Sequence, residues 1–330
     1  MAERLARKGW HCSYASGIEW RPARFTHMLC ATLRHAPRVA VVHIPLFSGA
    51  AFAWAFMGSE IARASNTPLV ISLHGGRLPE FSKRWPATVR RVLAGATAVV
   101  APSEYLRSAL SEFREDIGVM PNAIALDDYP FVERHAPVAR LVWLRAFHAI
   151  YNPTLGPRVL AALGDRWPAA RLLMIGSDKG DGSLQATRRL ADELGVADRI
   201  DFVGVVAKPD VPTWLHKGDI FVNTSNVDNT PVSVLEAMAC GLPVVTTNVG
   251  GIPHLVADET EGLLVPPDDH RAFAGAIARL LEEPRLASEI SRRARLKVEQ
   301  LDWSAMIQRW DSLLLEAAHR RSRIARPARS

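Results

Sequence analysis

Asp228 and Glu236 stand eight positions apart in the run Asp228-Asn229-Thr230-Pro231-Val232-Ser233-Val234-Leu235-Glu236, on either side of a predicted helix start. A carboxylate only accepts hydrogen bonds, and its two oxygens take two hydroxyls at once, which is the chemistry of binding a polyhydroxylated ligand. The helix start between them offers unpaired backbone N–H groups and the positive end of a dipole, which suits phosphate. Hydroxyls next to phosphates describe a nucleotide-sugar, and a site for one is the first expectation. Pro231 has no N–H, so Thr230, Val232 and Ser233 are the expected donors there.

The flanking residues are those needed to hold such a site. Asp219-Ile220-Phe221-Val222-Asn223-Thr224-Ser225 reads as a buried strand running into polar turn residues. Thr230 is the expected cap of the next helix, Pro231 its first position and Gly241 its end. Asp228 then lies in the loop at the carboxyl end of a strand, where open α/β sheets bind ligands, and Glu236 in the second helical turn.

Strands and helices alternate through most of the chain, which predicts parallel sheets with crossover helices. Strand-length apolar runs occur at 39–44, 68–73 and 96–101, then at 139–144, 171–176, 200–204, 220–223, 244–247 and 262–265. Between the two series, the turn-rich stretch Pro121 to Pro130 reads as a linker. The expected fold class is therefore α/β, with two Rossmann-like halves and a cleft between them. Residues 2–10 read as the end of an amphipathic helix and 11–16 as a strand after it, so the strand and glycine-rich turn that usually open such a half are expected to be missing. A sheet so shortened is expected to expose apolar surface.

With 330 residues, the chain is long enough for two cores, and 48% hydrophobic against 22% charged residues excludes global disorder. The net charge of +6 favours anionic partners, but much of it lies in the last ten residues, which read as a basic tail. No interleaving of aromatic and basic residues marks a nucleic-acid surface. Cys12, Cys30 and Cys240 have no metal-ligand spacing and read as reduced packing residues. The uncharged stretch 39–58 is interrupted by Pro45 and Gly49, so it reads as a strand followed by a buried helix rather than a membrane span. No signal peptide is read in the charged N-terminus.

The stretch from Leu235 to Pro253, with Glu236-Ala237-Met238-Ala239-Cys240-Gly241-Leu242-Pro243-Val244-Val245 at its heart, resembles the GT-B glycosyltransferases, and closely the family-four retaining glycosyltransferases. Supporting matches, in the right order, are Leu73-His74-Gly75-Gly76, Ala101-Pro102-Ser103-Glu104, Pro121-Asn122 and Gly262-Leu263-Leu264-Val265-Pro266-Pro267. The family's E-x7-E motif falls on Asp228 and Glu236, so the resemblance implies that Glu236 receives the nucleotide ribose and Asp228 faces the donor sugar. It further implies that Arg145 grips the diphosphate and that His74 acts against the donor sugar as a catalytic-site residue. His43 and Asn152 are weaker candidates. The chain departs from the pattern twice. Asp228 is one methylene shorter than the family's Glu, and Tyr151 stands where the family has a Lys six residues after its Arg; Arg158 or His148 would substitute only if the fold brings them near.

The resemblance implies a metal-independent, retaining transfer of a sugar from a nucleotide-diphosphate donor to an acceptor hydroxyl. Glycan or lipid-linked acceptors of cell-surface polysaccharide or glycolipid synthesis are the implied partners, and no cofactor or metal is expected. The implied location is cytoplasmic, with peripheral contact at the inner membrane face compatible with the charge. The expected domains are 1–130 for the acceptor side, 131–303 for the nucleotide-sugar side, and 304–330 for a returning helix and basic tail. A nucleotide-sugar 2-epimerase shares the architecture but lacks this signature. A catalytically weak or inactive nucleotide-sugar-binding protein is the alternative kept open by Tyr151 and the missing turn.

Overall fold

A computed structural model describes residues 1–18 and 20–324. The chain forms two compact units, one of residues up to Pro121 together with those from Ser304 onward, the other from Asn122 to Trp303. The division falls after Pro121 rather than after Pro130 because 122–130 is tied into the second unit. Ile124 exchanges backbone hydrogen bonds with Leu301 and Trp303 at 3.0 Å each, and Tyr129 is buried against Glu236. A helix spans Trp303–Ile324 and takes in the start of the stretch read as a basic tail from Arg320 onward, while 325–330 lie outside the described residues. Among the described residues, no helix is long and apolar enough to cross a membrane.

The first unit holds a parallel sheet of β1 (Val42–Leu46), β2 (Leu69–Leu73), β3 (Ala98–Ala101) and β4 (Ile117–Val119), in the order β1-β2-β3-β4. Alternate residues Ile44, Leu46, Leu69, Ile71, Leu73 and Val99 build its core together with Phe52, Ala55 and Ala62 of the helix Ala51–Ala64. Pro45, read as interrupting the uncharged stretch 39–58, lies within β1, which runs on to Leu46. The strand is at the sheet edge, where a missing N–H is tolerated. All five residues of β2 are buried, and Ser72 is its single polar side chain. The three-residue β4 is too short to register in the apolar pattern.

Residues 11–16 form no strand, contrary to the expectation. His11, Cys12, Ser13 and Tyr14 are exposed and have no ladder to join. The segment before them is pinned instead by a buried Leu5 and by the Trp10 indole, which donates to Asp311 at 2.7 Å. Among the described residues no strand precedes Val42. Cys12 and Cys30 are exposed rather than packed, whereas Cys240 is buried and its thiol is pushed up to about 12 by that burial.

The second unit is a six-stranded parallel sheet of β5 (Arg140–Leu144), β6 (Arg171–Ile175), β7 (Ile200–Gly204), β8 (Ile220–Asn223), β9 (Val244–Thr247) and β10 (Leu263–Val265). Successive residues feed opposite faces, as a doubly covered sheet requires. Leu141 and Trp143 pack with the helices Leu155–Leu163 and His270–Glu282, while Val142 and Phe221 pack with the helix Val232–Ala239.

Candidate functional site

The strand order in the second unit is β10-β9-β8-β5-β6-β7. From β5 the chain moves outward through β6 and β7, then returns to β8 and proceeds outward on the other side through β9 and β10. Connections from β5 and β8 thus leave in opposite directions and open a crevice at their carboxyl ends, the place where such sheets bind ligands. The residue after β5 is Arg145, and the residues after β8 are Thr224 and Ser225.

Arg145 is held there by its backbone N–H, which donates to the Ile175 carbonyl at 3.0 Å. Gly176 makes this possible, since a Cβ at that position would stand 1.7 Å from the Arg145 carbonyl oxygen. The Arg145 guanidinium forms an ion pair with Asp228, and both side chains are largely buried, 15% and 10% exposed. Asp228 also accepts from the Ser225 hydroxyl at 3.0 Å and from the Asn229 N–H at 2.9 Å. On its other side the guanidinium lies over the Tyr151 ring, 4.1 Å from the centroid. Where the family's Lys would bring a second cation, this chain has a platform that stacks the first one. Arg158 pairs instead with Asp268 at 3.4 Å, and His148 faces Asp181 at 3.7 Å.

The following helix starts one residue later than expected. Pro231, in extended conformation, is its cap, and no side chain caps it. The first helical hydrogen bonds run from Val234 and Leu235 to the Pro231 carbonyl, so the amides of Val232 and Ser233 precede the ladder. Thr230 is therefore not a cap: its hydroxyl, like that of Ser233 and the Nε of Arg145, is buried without a hydrogen-bond partner. The turn that carries these groups is braced by Gly251, whose N–H donates to the Asp228 carbonyl at 3.1 Å. A Cβ on Gly251 would lie 2.1 Å from the Asn229 carbonyl oxygen.

Every residue from Ser233 to Ala239 is buried, including Glu236 at 3% exposure. A buried carboxylate needs partners, and Glu236 has two. The Tyr129 hydroxyl donates to its Oε1 at 3.0 Å, and the Lys208 ammonium reaches the same oxygen. Burial pushes the Tyr129 hydroxyl up to about 12, so it remains a donor at physiological pH. Both partners come from irregular segments, Tyr129 from a turn-rich stretch and Lys208 from the connection after β7. Nothing in their sequence surroundings signals the role; only the fold assigns it.

Of the candidates in this unit, Arg145 and Asp228 meet directly, and Thr230, Val232, Ser233 and Glu236 follow along one turn and helix. Asn152 is a joint in the backbone: it has a left-handed φ of 45°, and its amide donates to Asp268 at 3.0 Å.

His74 belongs to the first unit, directly after β2. Its backbone N–H donates to the Leu46 carbonyl at 2.8 Å, its Nε2 lies 3.1 Å from the Ser72 hydroxyl, and Phe47 stacks on its ring at 5.0 Å. The same hydroxyl is 2.9 Å from Nε2 of His43. Burial lowers the pKa of both imidazoles, that of His43 to about 4, with the neighbouring His74 adding to the effect.

Comparison with known proteins agrees with this architecture. A family model described as glycosyltransferase family 4 matches residues 2–128, and one described as glycosyl transferases group 1 matches residues 147–283. A D-inositol 3-phosphate glycosyltransferase of Mycobacteroides abscessus is 34% identical over 171 residues, covering 51% of this chain but only 38% of that relative's length. Among solved structures, a sucrose-phosphate synthase from Thermosynechococcus elongatus superposes with a TM-score of 0.77 at 20% identity, covering 95% of this chain and 90% of its own. The Anabaena protein HepE, solved in complex with UDP, gives a TM-score of 0.75 at 20% identity, covering 88% and 82%. The two family models divide the chain between them in sequence order over the two parallel-sheet units: the chain carries a glycosyltransferase family 4 domain and a glycosyl transferases group 1 domain, on the fold of its GT-B glycosyltransferase neighbours.

Proposed function

We propose that the second unit binds a nucleotide-diphosphate sugar and that the protein transfers the sugar to an acceptor hydroxyl with retention of anomeric configuration. The observation that carries this reading is the set of three buried polar groups without partners, Arg145 Nε, Thr230 Oγ1 and Ser233 Oγ, gathered at the switch point and the helix start. Buried polar groups in native proteins are nearly always paired, so an orphaned cluster asks for a ligand, and one that accepts from an arginine and two hydroxyls beside a helix N-terminus is a diphosphate. Glu236, held rigidly one turn further, is suited to take the ribose hydroxyls. HepE, of similar fold, has been solved with UDP and with UDP-glucose.

In the transfer, the bond between the anomeric carbon and the diphosphate oxygen breaks as the acceptor oxygen bonds to the same carbon from the same face. The acceptor proton passes to the departing phosphate oxygen. Arg145 and the amides of Val232 and Ser233 stabilise the charge that develops there, so the leaving group needs no divalent ion. Asp228 faces the donor sugar and, by pairing with Arg145, sets the direction of the guanidinium. The acceptor belongs to the glycans or lipid-linked intermediates of cell-surface polysaccharide or glycolipid synthesis, met in the cytoplasm at the membrane face.

Tyr151 in place of a Lys supports a second reading, a nucleotide-sugar-binding protein with little turnover. Incubation with labelled UDP- and GDP-sugars separates the two. Transfer or hydrolysis that drops at least 100-fold in Glu236→Ala supports the enzyme; tight binding with no turnover of any donor supports the binding protein.

A further inference from the structure

We propose that Ser72 and His43 are positioning residues for His74. The Ser72 hydroxyl, bonded to Nε2 of both imidazoles, joins them into a chain in which the two rings hold opposite tautomers. His43 thereby decides whether His74 presents a donor or an acceptor at Nδ1. The functional part of this inference rests on the proposed sugar transfer and on the part in it that the family resemblance implies for His74; the tautomer part does not.

Ser72 is the one polar residue in a strand whose five residues are all buried, with Pro45 of β1 on one side and Val100 of β3 on the other. Its hydroxyl lies 2.9 Å from the Nε2 of His43 and 3.1 Å from that of His74. A hydroxyl has one proton and two lone pairs. If both rings donated to it, its own proton would lack an acceptor in this cluster; if neither did, it could serve only one of them. Either case strands a buried polar group at a cost of about 1–3 kcal/mol. The arrangement that satisfies all three has one ring donating Nε2–H to Oγ while Oγ–H points at the bare Nε2 of the other. The donating ring is then bare at Nδ1 and the accepting ring carries Nδ1–H.

The surroundings keep the rings in place and uncharged. Phe47 stacks on His74 with an interplanar angle of 20°, and Trp310 meets His43 edge-on at 5.2 Å. Burial disfavours the imidazolium form of both. With Nε2 of His74 committed to Ser72, Nδ1 is the ring atom left for a ligand.

Long-range nitrogen–proton correlation spectra of the full chain at neutral pH read the tautomers directly, with His43→Gln and His74→Gln used for assignment. One ring as Nδ1–H and the other as Nε2–H is the expected result, changed in Ser72→Ala and kept in Ser72→Thr. Two rings in the same tautomer, or spectra that Ser72→Ala leaves unchanged, overturn the proposal. The wild-type measurement needs no variant to fold. In turnover, Ser72→Ala is expected to lower kcat about 10-fold, a fraction of what a proton-handling residue contributes, with donor affinity unchanged. A kcat equal to wild type overturns the positioning role. If the chain transfers no sugar at all, the tautomer result stands, and it is the proposed function that fails.

Discussion

The two units place chemistry at the same position, the carboxyl ends of parallel strands, but prepare it in opposite ways. Beyond its strand ends, the second unit assembles charge: Arg145 after β5 against Asp228 after β8, and Lys208 after β7 against Glu236, in surroundings that leave three polar groups without a partner. After β2, the first unit holds charge down. His74 and His43 share one hydroxyl, and burial keeps both rings neutral. Preformed ion pairs suit a ligand that arrives ionised, such as a diphosphate. A neutral imidazole chain suits a ligand that offers only hydroxyls. On the proposed function, one architecture used twice serves different ligands through the few residues that follow its strands.

The charged site breaks most severely when its guanidinium goes. Arg145→Ala is expected to reduce kcat/KM about 100-fold or more, since it removes the diphosphate contact and leaves Asp228 buried without its cation. Arg145→Lys should recover only part of this, because a point charge reproduces neither the two-pronged contact nor the stacking on Tyr151. Steady-state kinetics with the best donor of the panel checks both. A kcat/KM for Arg145→Lys within two-fold of wild type would remove the stacking from the account.

A change in backbone shape should act less strongly. Gly251→Ala is expected to lower stability by about 1–3 kcal/mol, because its Cβ would press on the carbonyl of Asn229, the residue whose N–H donates to the Asp228 carboxylate. Urea unfolding monitored by circular dichroism measures the loss, and donor affinity should fall with it.

An effect confined to acid pH tests the neutral site. His43 has its folded pKa lowered from an ordinary 6.5 to about 4. The unfolded chain therefore binds more protons between these values, so the contribution of His43 to stability is fully present above about pH 6.5 and is lost as pH falls toward 4. The loss is about 1–3 kcal/mol, given the partial exposure of the ring. Replacing His43 with Phe should flatten this part of the stability curve. An unchanged acid limb would show that His43 already accommodates a proton in the folded state.

Much of this was legible in the sequence, and the rest was hidden for physical reasons. Apolar runs of strand length revealed the two sheets because buried parallel strands have no solvent face to interrupt them. The Glu236-Ala237-Met238-Ala239 helix was legible because its chemistry and spacing stay local, whereas Arg145 was marked only by the resemblance to the family. Pro45 misled because tolerance of proline depends on edge position, which is a tertiary property. Thr230 was misread as a cap since Pro231 takes that place with its backbone alone. Tyr129 and Lys208 reach Glu236 from 107 and 28 residues away, and no local pattern marks them. Ser72 looked like an ordinary strand residue until β1 brought His43 beside it.

The central claim is that the second unit is a donor pocket completed by a ligand. Isothermal titration of UDP and GDP into the full chain, and into Glu236→Ala, tests it most directly. Saturable one-to-one binding of a nucleoside diphosphate, weakened at least 30-fold by Glu236→Ala through the lost charged hydrogen bonds to ribose, is the predicted result. Equal affinity in the two proteins, or no binding of either nucleotide at millimolar concentration, would contradict it.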